Sequence, residues 1–182
     1  MTAPIRRRTR AREIAMQALF QFDVRGRDYC GDGDQGADGD VEAVCRAEIT
    51  RVEDGDEDSA EQRDSTARKL NATEREILQF ANKLVSGTLE HRDEIDAKLQ
   101  AVTRNWDLRR MAIVDRNVLR MAVYELMWCD DVPQKVAINE AIEIGKKFST
   151  ANSGGFVNGI LDRIRIDLAR SKSDGAADAA TS

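Results

Sequence analysis

The stretch from Val114 to Cys129 limits the fold more than any other part of the chain. Val114, Val118, Leu119, Met121, Ala122, Val123, Leu126, Met127 and Trp128 run almost all the way round one helical period. A helix that is apolar on most of its circumference must be covered on most sides, which puts it at the centre of a bundle. Its polar residues cluster instead of alternating. Asp115, Arg116 and Arg120 fall within about a turn and a half, the two arginines at i,i+4 spacing. The pattern predicts a core helix that shows one charged strip to solvent.

Further helices flank it. Asp130-Asp131-Val132-Pro133 ends the central helix, because proline cannot continue one and restrains the residue before it. A second helix is predicted from Gln134 to Phe148, with Ile138, Ala141, Ile142, Gly145 and Phe148 on one face. After the loop Ser149–Gly155, where Asn152 or Ser153 can cap, Phe156, Val157, Ile160, Leu161, Ile164 and Leu168 return at helical spacing. Upstream, Thr9 to Val24 carries the stripe Ala11, Ile14, Ala15, Ala18, Leu19 and Phe22. Thr73 and Glu76 have the spacing of a capping box, opening a helix with Ile77, Phe80, Ala81, Leu84, Val85 and Leu89. Ile95, Leu99 and Val102 extend that face, as the same helix or a kinked successor, to about Thr103. Trp106 and Leu108 lead into a short helical turn at Arg109–Ala112. No strand alternation interrupts these patterns, so the expected class is all-α, six or seven helices packed as two small bundles sharing a core. The length of 182 residues suits one domain, here residues 1–170, with 171–182 as a disordered tail.

The net charge of −5 conceals a segregation. Residues 28–64 hold fourteen acids and three bases, a net of −11, which leaves −5 − (−11) = +6 for the rest. Residues 26–65, rich in glycine and acids, read as a disordered acidic insertion, although Val41 to Val52 could form a short helix. Asp32 and Asp34 lack the ligand spacing and closing glutamate of a calcium loop, so no metal is expected. The basic remainder is concentrated at the start, where Arg6, Arg7, Arg8, Arg10 and Arg12 form a cationic arm expected to be mobile without a partner. Cys30, Cys45 and Cys129 show no CxxC spacing and read as unpaired thiols of a reducing compartment. No apolar run has the length of a membrane span and no signal-peptide core follows the arginines, which points to the cytoplasm.

A catalytic constellation does not emerge. His91 is the single histidine and sits among charged residues with no cysteine or serine motif to serve. Neither a GxxxxGK[ST] loop nor a GxGxxG turn is present. Ser153-Gly154-Gly155 precedes a helix and can offer amides to a phosphate, which suits a nucleic-acid backbone without implying catalysis. Phe156, at that helix start, fits two environments: a base-stacking position or the core beside Val157, Ile160 and Leu161.

Three blocks carry a resemblance. Val132-Pro133-x-Lys135-Val136-Ala137-Ile138-Asn139-Glu140-Ala141-Ile142-Glu143 with Phe156-Val157-Asn158-Gly159-Ile160-Leu161-Asp162 is one. Asp115-Arg116-x-Val118-Leu119-Arg120-x-Ala122-Val123-Tyr124-Glu125-Leu126 is the second, and the arginine-rich start through Met16-Gln17-Ala18-Leu19-Phe20-Gln21 the third. In order and spacing they resemble the NusB family of bacterial transcription antitermination factors, over about three quarters of the chain. The resemblance implies a NusB-like helical bundle and a non-enzymatic RNA-binding factor without cofactors. It implies pairing with the ribosomal protein NusE, recognition of single-stranded boxA RNA in ribosomal RNA transcripts, and indirect association with RNA polymerase and other Nus factors. Arg6, Arg7, Arg8, Arg10, Arg12, Lys147, Asn152 and Phe156 would contact RNA, while Asp115, Arg116 and Arg120 would contact the protein partner. Members of the family usually have a shorter connection where the acidic insertion stands; a solvated spacer, a repeller of RNA backbone and a mask over the arm are the three readings of it. Whether the chain forms a homodimer is left open by the resemblance, as is an interaction module without RNA binding. Some ribosomal-RNA cytosine methyltransferases carry this fold as an appendage, but these 182 residues leave no length for a methyl-donor domain.

Overall fold

The helical periodicities become seven α-helices and one 3-10 turn among the described residues of the computed structural model, which are 3–25, 37–53, 69–103 and 107–179. The helices are α1 (Ala3–Arg25), α2 (Ala37–Glu53), α3 (Ala72–Glu90), α4 (Arg92–Val102), α5 (Ile113–Trp128), α6 (Gln134–Phe148) and α7 (Ser153–Ala179), with the 3-10 turn at Leu108–Arg110. They fall into two units, Met1–Glu90 and His91–Ser182.

In the first unit α1, α2 and α3 pack on one another. The α1 stripe is buried as expected, and α1 packs on α3, whose Leu78, Ala81, Leu84 and Val85 are buried too. Within the acidic segment 26–65, residues 37–53 form α2, the short helix that Val41–Val52 allowed, and bury Val41, Cys45 and Ile49. Those three positions recur every four residues, enough for one core-facing edge. Composition averaged over the acidic segment hides them, and the short helix expected at Val41–Val52 extends one turn beyond it. Burial, reinforced by the carboxylates of Glu48 and Glu42, pushes the Cys45 thiol up to about 12. Residues 26–36 and 54–65, with Cys30, Asp32 and Asp34, lie outside the described residues, as does Trp106.

Two helix starts differ from the expectation. α1 begins at Ala3 rather than Thr9. Pro4 falls in the first turn, where its missing amide costs nothing, and arginine is a good helix former, so the arm continues the helix. α3 is capped two residues earlier than predicted. The Asn71 amide donates to Glu74 Oε2 at 2.6 Å and the Glu74 amide donates to Asn71 Oδ1 at 2.9 Å, a reciprocal capping box. Asn71-x-x-Glu74 and Thr73-x-x-Glu76 overlap in sequence, and the first forms because Glu74 is buried while Glu76 turns outward.

In the second unit α5 is central, touching α4, α6 and α7. Val118 through Leu126 are all buried. α4 starts afresh after His91, whose ring stacks on Trp128 with centroids 4.1 Å apart and lies 6.1 Å from Tyr124. His91, placed by the sequence among charged residues, is thus half-covered by aromatic faces. α6 spans the predicted residues. α7 continues to Ala179, which corrects the disordered tail at 171–182 as far as that residue. No proline interrupts 153–179, and Ala176, Ala177 and Ala179 favour the helix.

Candidate nucleic-acid interface

Each unit presents one group of the predicted binding residues. On α1, Arg6 and Arg8 are exposed, and Arg7 and Arg10 are half-exposed. Helical spacing sends neighbouring arginines to different tasks. Arg7 Nη1 donates to Glu76 Oε2 of α3 at 2.6 Å. The Arg8 guanidinium stands over the Phe80 ring, 4.9 Å from its centroid, and Arg12, one turn on, is 5.4 Å from the same ring. Arg10 Nη1 bonds Glu13 Oε2 at 3.1 Å. Far from being a mobile arm, the arginine segment is a helix edge fastened to α3.

Arg12 is only 2% exposed. Its guanidinium belongs to the packing of α1 on Phe80, so the expectation that it reaches a phosphate is corrected. Phe80, which its spacing places on the core stripe, is half-buried and serves as the platform for both arginines. Phe20 is 38% exposed on the same helix, off the core stripe. Its position relative to Ala11, Ile14, Ala15 and Ala18 was the available signal for an outward aromatic, one that no expectation from the sequence had used.

In the second unit, Lys147 and Asn152 are exposed and Phe156 is half-buried, intermediate between the two environments its pattern allowed. Lys147 Nζ lies 5.0 Å from the Phe148 ring centroid. The loop between α6 and α7 is held from beneath. Ser153, buried, donates from Oγ to Asp115 Oδ2 of α5 at 3.2 Å and accepts the Thr150 amide at 3.1 Å. With the Ser153 hydroxyl hydrogen directed at the carboxylate, the Thr150 hydroxyl 2.9 Å away is left as the donor to Ser153 Oγ. The first turn of α7 also needs Gly154, because a Cβ there would meet the Lys146 side chain at 2.9 Å. Lys146 Nζ in turn pairs with Glu143 Oε1 at 2.7 Å.

The solvent-facing strip on α5 is not found. Asp115 is 8% exposed and Arg120 5%. Arg120 makes a two-pronged pair with Asp96 of α4, Nε to Oδ1 at 2.7 Å and Nη2 to Oδ2 at 2.8 Å. Half-buried Arg116 donates from Nη1 to the Leu108 carbonyl at 3.1 Å. A helix surrounded on nearly every side has its charges covered too, and they survive only by pairing. Asp115, Arg116 and Arg120 therefore brace α5 against α7, the 3-10 turn and α4, which corrects their reading as a partner-binding surface. Asp96, the decisive partner, carries no signal in the sequence.

Among the described residues no group of three or more metal-ligating side chains converges. None of the described helices is long and apolar enough to cross a membrane. What the two surfaces offer is cationic and hydrogen-bonding groups around outward or half-buried aromatics, chemistry suited to phosphates and unpaired bases.

Comparison with known proteins agrees with the fold and the blocks. The NusB family model matches residues 40–165, a span that takes in most of α2 and all of α3 to α6. The transcription antitermination protein NusB of Anaeromyxobacter dehalogenans is 44% identical over 162 residues, 89% of this chain and 92% of that one. A solved NusB structure from T. maritima superposes with a TM-score of 0.61 at 36% identity, covering 91% of this chain and 92% of the other. The fold also matches, with a TM-score of 0.64 at 23% identity over 89% of this chain and 98% of its counterpart, a chain in the crystal structure of antitermination factors NusB and NusE in complex with double-stranded RNA. With a family model covering more than half of its residues and a relative this similar over nearly its full length, the chain belongs to the NusB family.

Proposed function

We propose that this chain is a non-catalytic, cytoplasmic antitermination factor that pairs with the ribosomal protein NusE and binds single-stranded boxA RNA of ribosomal RNA transcripts. In that role residues 1–170 act as one RNA-binding domain and suppress premature termination by joining RNA polymerase indirectly, with the other Nus factors. The observation that carries the reading is the α1 edge, where Arg6, Arg7 and Arg8 stand on a helix packed against α3. Arginines fixed in this way form a phosphate-binding ridge whose affinity falls with salt. Exposed Lys147 and Asn152 and half-buried Phe156 supply polar and stacking contacts for unpaired bases. The names of the relatives support antitermination, and the NusB–NusE complex, which holds double-stranded RNA, supports NusE and RNA as classes of partner.

The test is binding of a boxA-containing RNA and a scrambled control, with and without NusE, over a salt series. The expected result is that NusE tightens binding selectively for the boxA strand. Replacing Arg6, Arg7 and Arg8 by alanine should flatten the dependence of log K on log salt by roughly 0.7 for each phosphate that is no longer neutralised. Equal binding of both RNAs in every condition would refute selectivity. Binding of NusE alone would make the chain a protein-interaction module.

A further inference from the structure

The blocks at Val132–Glu143 and Phe156–Asp162 contain more than core packing requires. Ile138, Ala141, Val157 and Leu161 point inward, but Lys135, Asn139 and Asn158 are exposed. These outward residues converge. With Pro133, with Gln134 and Ile138 of α6 and with Asp162 and Arg165 of α7, they line a cavity of about 660 Å3. Small-ligand sites occupy roughly 300–1,000 Å3.

The lining is chemically selective. Gln134, Asn139 and Asn158 bring three carboxamides, each able both to donate and to accept. Pro133 and Ile138 provide apolar wall. Of the three charged residues, Asp162 is neutralised by its neighbour, since Arg165 Nε and Nη2 both donate to its Oδ1 at 3.0 and 2.7 Å. Lys135 then sets the sign of the cavity. The N-terminus of α6, with Pro133 as its cap residue, lies at the same place and adds the positive end of a 15-residue helix dipole.

Carboxamides paired with a cation suit a nucleotide better than an aliphatic or acidic ligand. Asparagine and glutamine make two-pronged hydrogen bonds to the donor–acceptor edge of a base, and single-stranded RNA exposes that edge. We propose that the α6–α7 cavity receives one unpaired nucleotide of the bound RNA. Its base lies against Gln134, Asn139 and Asn158, and its phosphate lies at Lys135 and the start of α6. This rests on the RNA-binding reading above and extends it to a base-selecting subsite. The cavity is continuous with the loop already described. Lys135, Asn139, Glu143 and Lys146 follow one another on one face of α6, and Gly154, Asn158, Asp162 and Arg165 do so on α7. Lys146 crosses Gly154 at the far end of that seam. Asn139 and Lys147 are eight residues apart, about 12 Å along the helix axis, which three or four nucleotides cover at a stacked rise of about 3.4 Å.

The experiment is abasic scanning. The full chain, with NusE present, is titrated with a boxA-containing RNA strand and with strands in which each nucleotide in turn lacks its base. The variants are N139A/N158A and K135A. The proposal expects one position at which loss of the base weakens the unaltered chain roughly tenfold. N139A/N158A should bind the intact strand about tenfold more weakly and be indifferent to the missing base at that position alone. K135A, a single exposed change that keeps the test open if the double variant is unstable, should lower the salt slope by about 0.7. Penalties that add at every position would overturn the proposal, as would variants that bind RNA normally but lose NusE. An unaltered chain that binds no RNA would sink the RNA reading itself; one that binds while the variants match it would sink only the cavity.

Discussion

Two groups of arginines, Arg6 to Arg12 on α1 and Arg116 with Arg120 on α5, have the same i,i+4 spacing on a helix, and the fold uses them in opposite ways. On α1 residues 11–16 are all buried, but the turns before them are not covered, so Arg6 and Arg8 reach solvent there and Arg7 and Arg8 fasten lightly to Glu76 and Phe80. On α5 almost every direction is covered, and Arg120 is left 5% exposed against Asp96. Spacing tells which side chains share a face; whether that face is wet depends on how many other faces the helix must bury. Arg12 shows the boundary between the two cases, because it belongs to the α1 series by spacing yet is buried against Phe80.

The sharpest way to break this comparison is Arg120→Ala. It leaves the Asp96 carboxylate without its two guanidinium donors, and loss of one partner from a buried pair costs about 3–5 kcal/mol. Asp96 keeps 22% of its side-chain surface exposed, so the lower end, about 3 kcal/mol, is expected. Urea unfolding should show a lower midpoint with little change in slope. Arg120→Lys should recover little, since an ammonium cannot reproduce the two-pronged geometry. A loss below about 1 kcal/mol would place this pair with ordinary surface ion pairs and erase the distinction from α1.

Ser153→Ala is the next largest. It strips Asp115 Oδ2 of its donor and the Thr150 amide of its acceptor. Asp115 Oδ1 already has no hydrogen-bond partner within the protein, so the carboxylate would be left buried without a hydrogen bond, at about 1–3 kcal/mol. Because both residues belong to one network, Asp115→Ala combined with Ser153→Ala should cost less than the two singly. Additive losses in a double-mutant cycle would mean that the two side chains act independently and that the loop before α7 is not held from α5.

Much of the fold was legible because burial repeats. The α1 core stripe, the bounds of α6 and the central place of α5 follow from apolar positions that recur every three or four residues. α2 was obscured because its stripe is one residue wide inside an acidic stretch, and the α3 cap because two capping boxes overlap at Asn71 and Thr73. The site was less legible than the fold. That Arg6, Arg7 and Arg8 lie on the surface could be read from charge, but Glu76, Phe80 and Asp96 are partners from other helices, and one chain's sequence does not say which acid or ring an arginine will meet. The cavity between α6 and α7 was hidden for the same reason, although most of its lining residues belong to motifs already singled out.

The smallest expected effect is the most informative about the arm. Glu76 is exposed and binds Arg7 across 2.6 Å, so Glu76→Gln removes a surface ion pair worth about 0.2–1 kcal/mol of stability. The same carboxylate competes with any phosphate that Arg7 would bind. Removing it frees the guanidinium and deletes a negative charge beside the ridge, so RNA affinity should rise two- to fivefold at low salt, about 0.4–1 kcal/mol. The gain should fade as salt is raised and screening shortens the reach of the deleted charge. In Arg7→Ala the substitution at Glu76 should add much less, because the competition it relieves is gone. If Glu76→Gln instead weakens RNA binding, the ion pair orients Arg7 toward the phosphate. The fastening of α1 to α3 would then be part of the binding surface, as the pairing of Arg120 with Asp96 is part of the core.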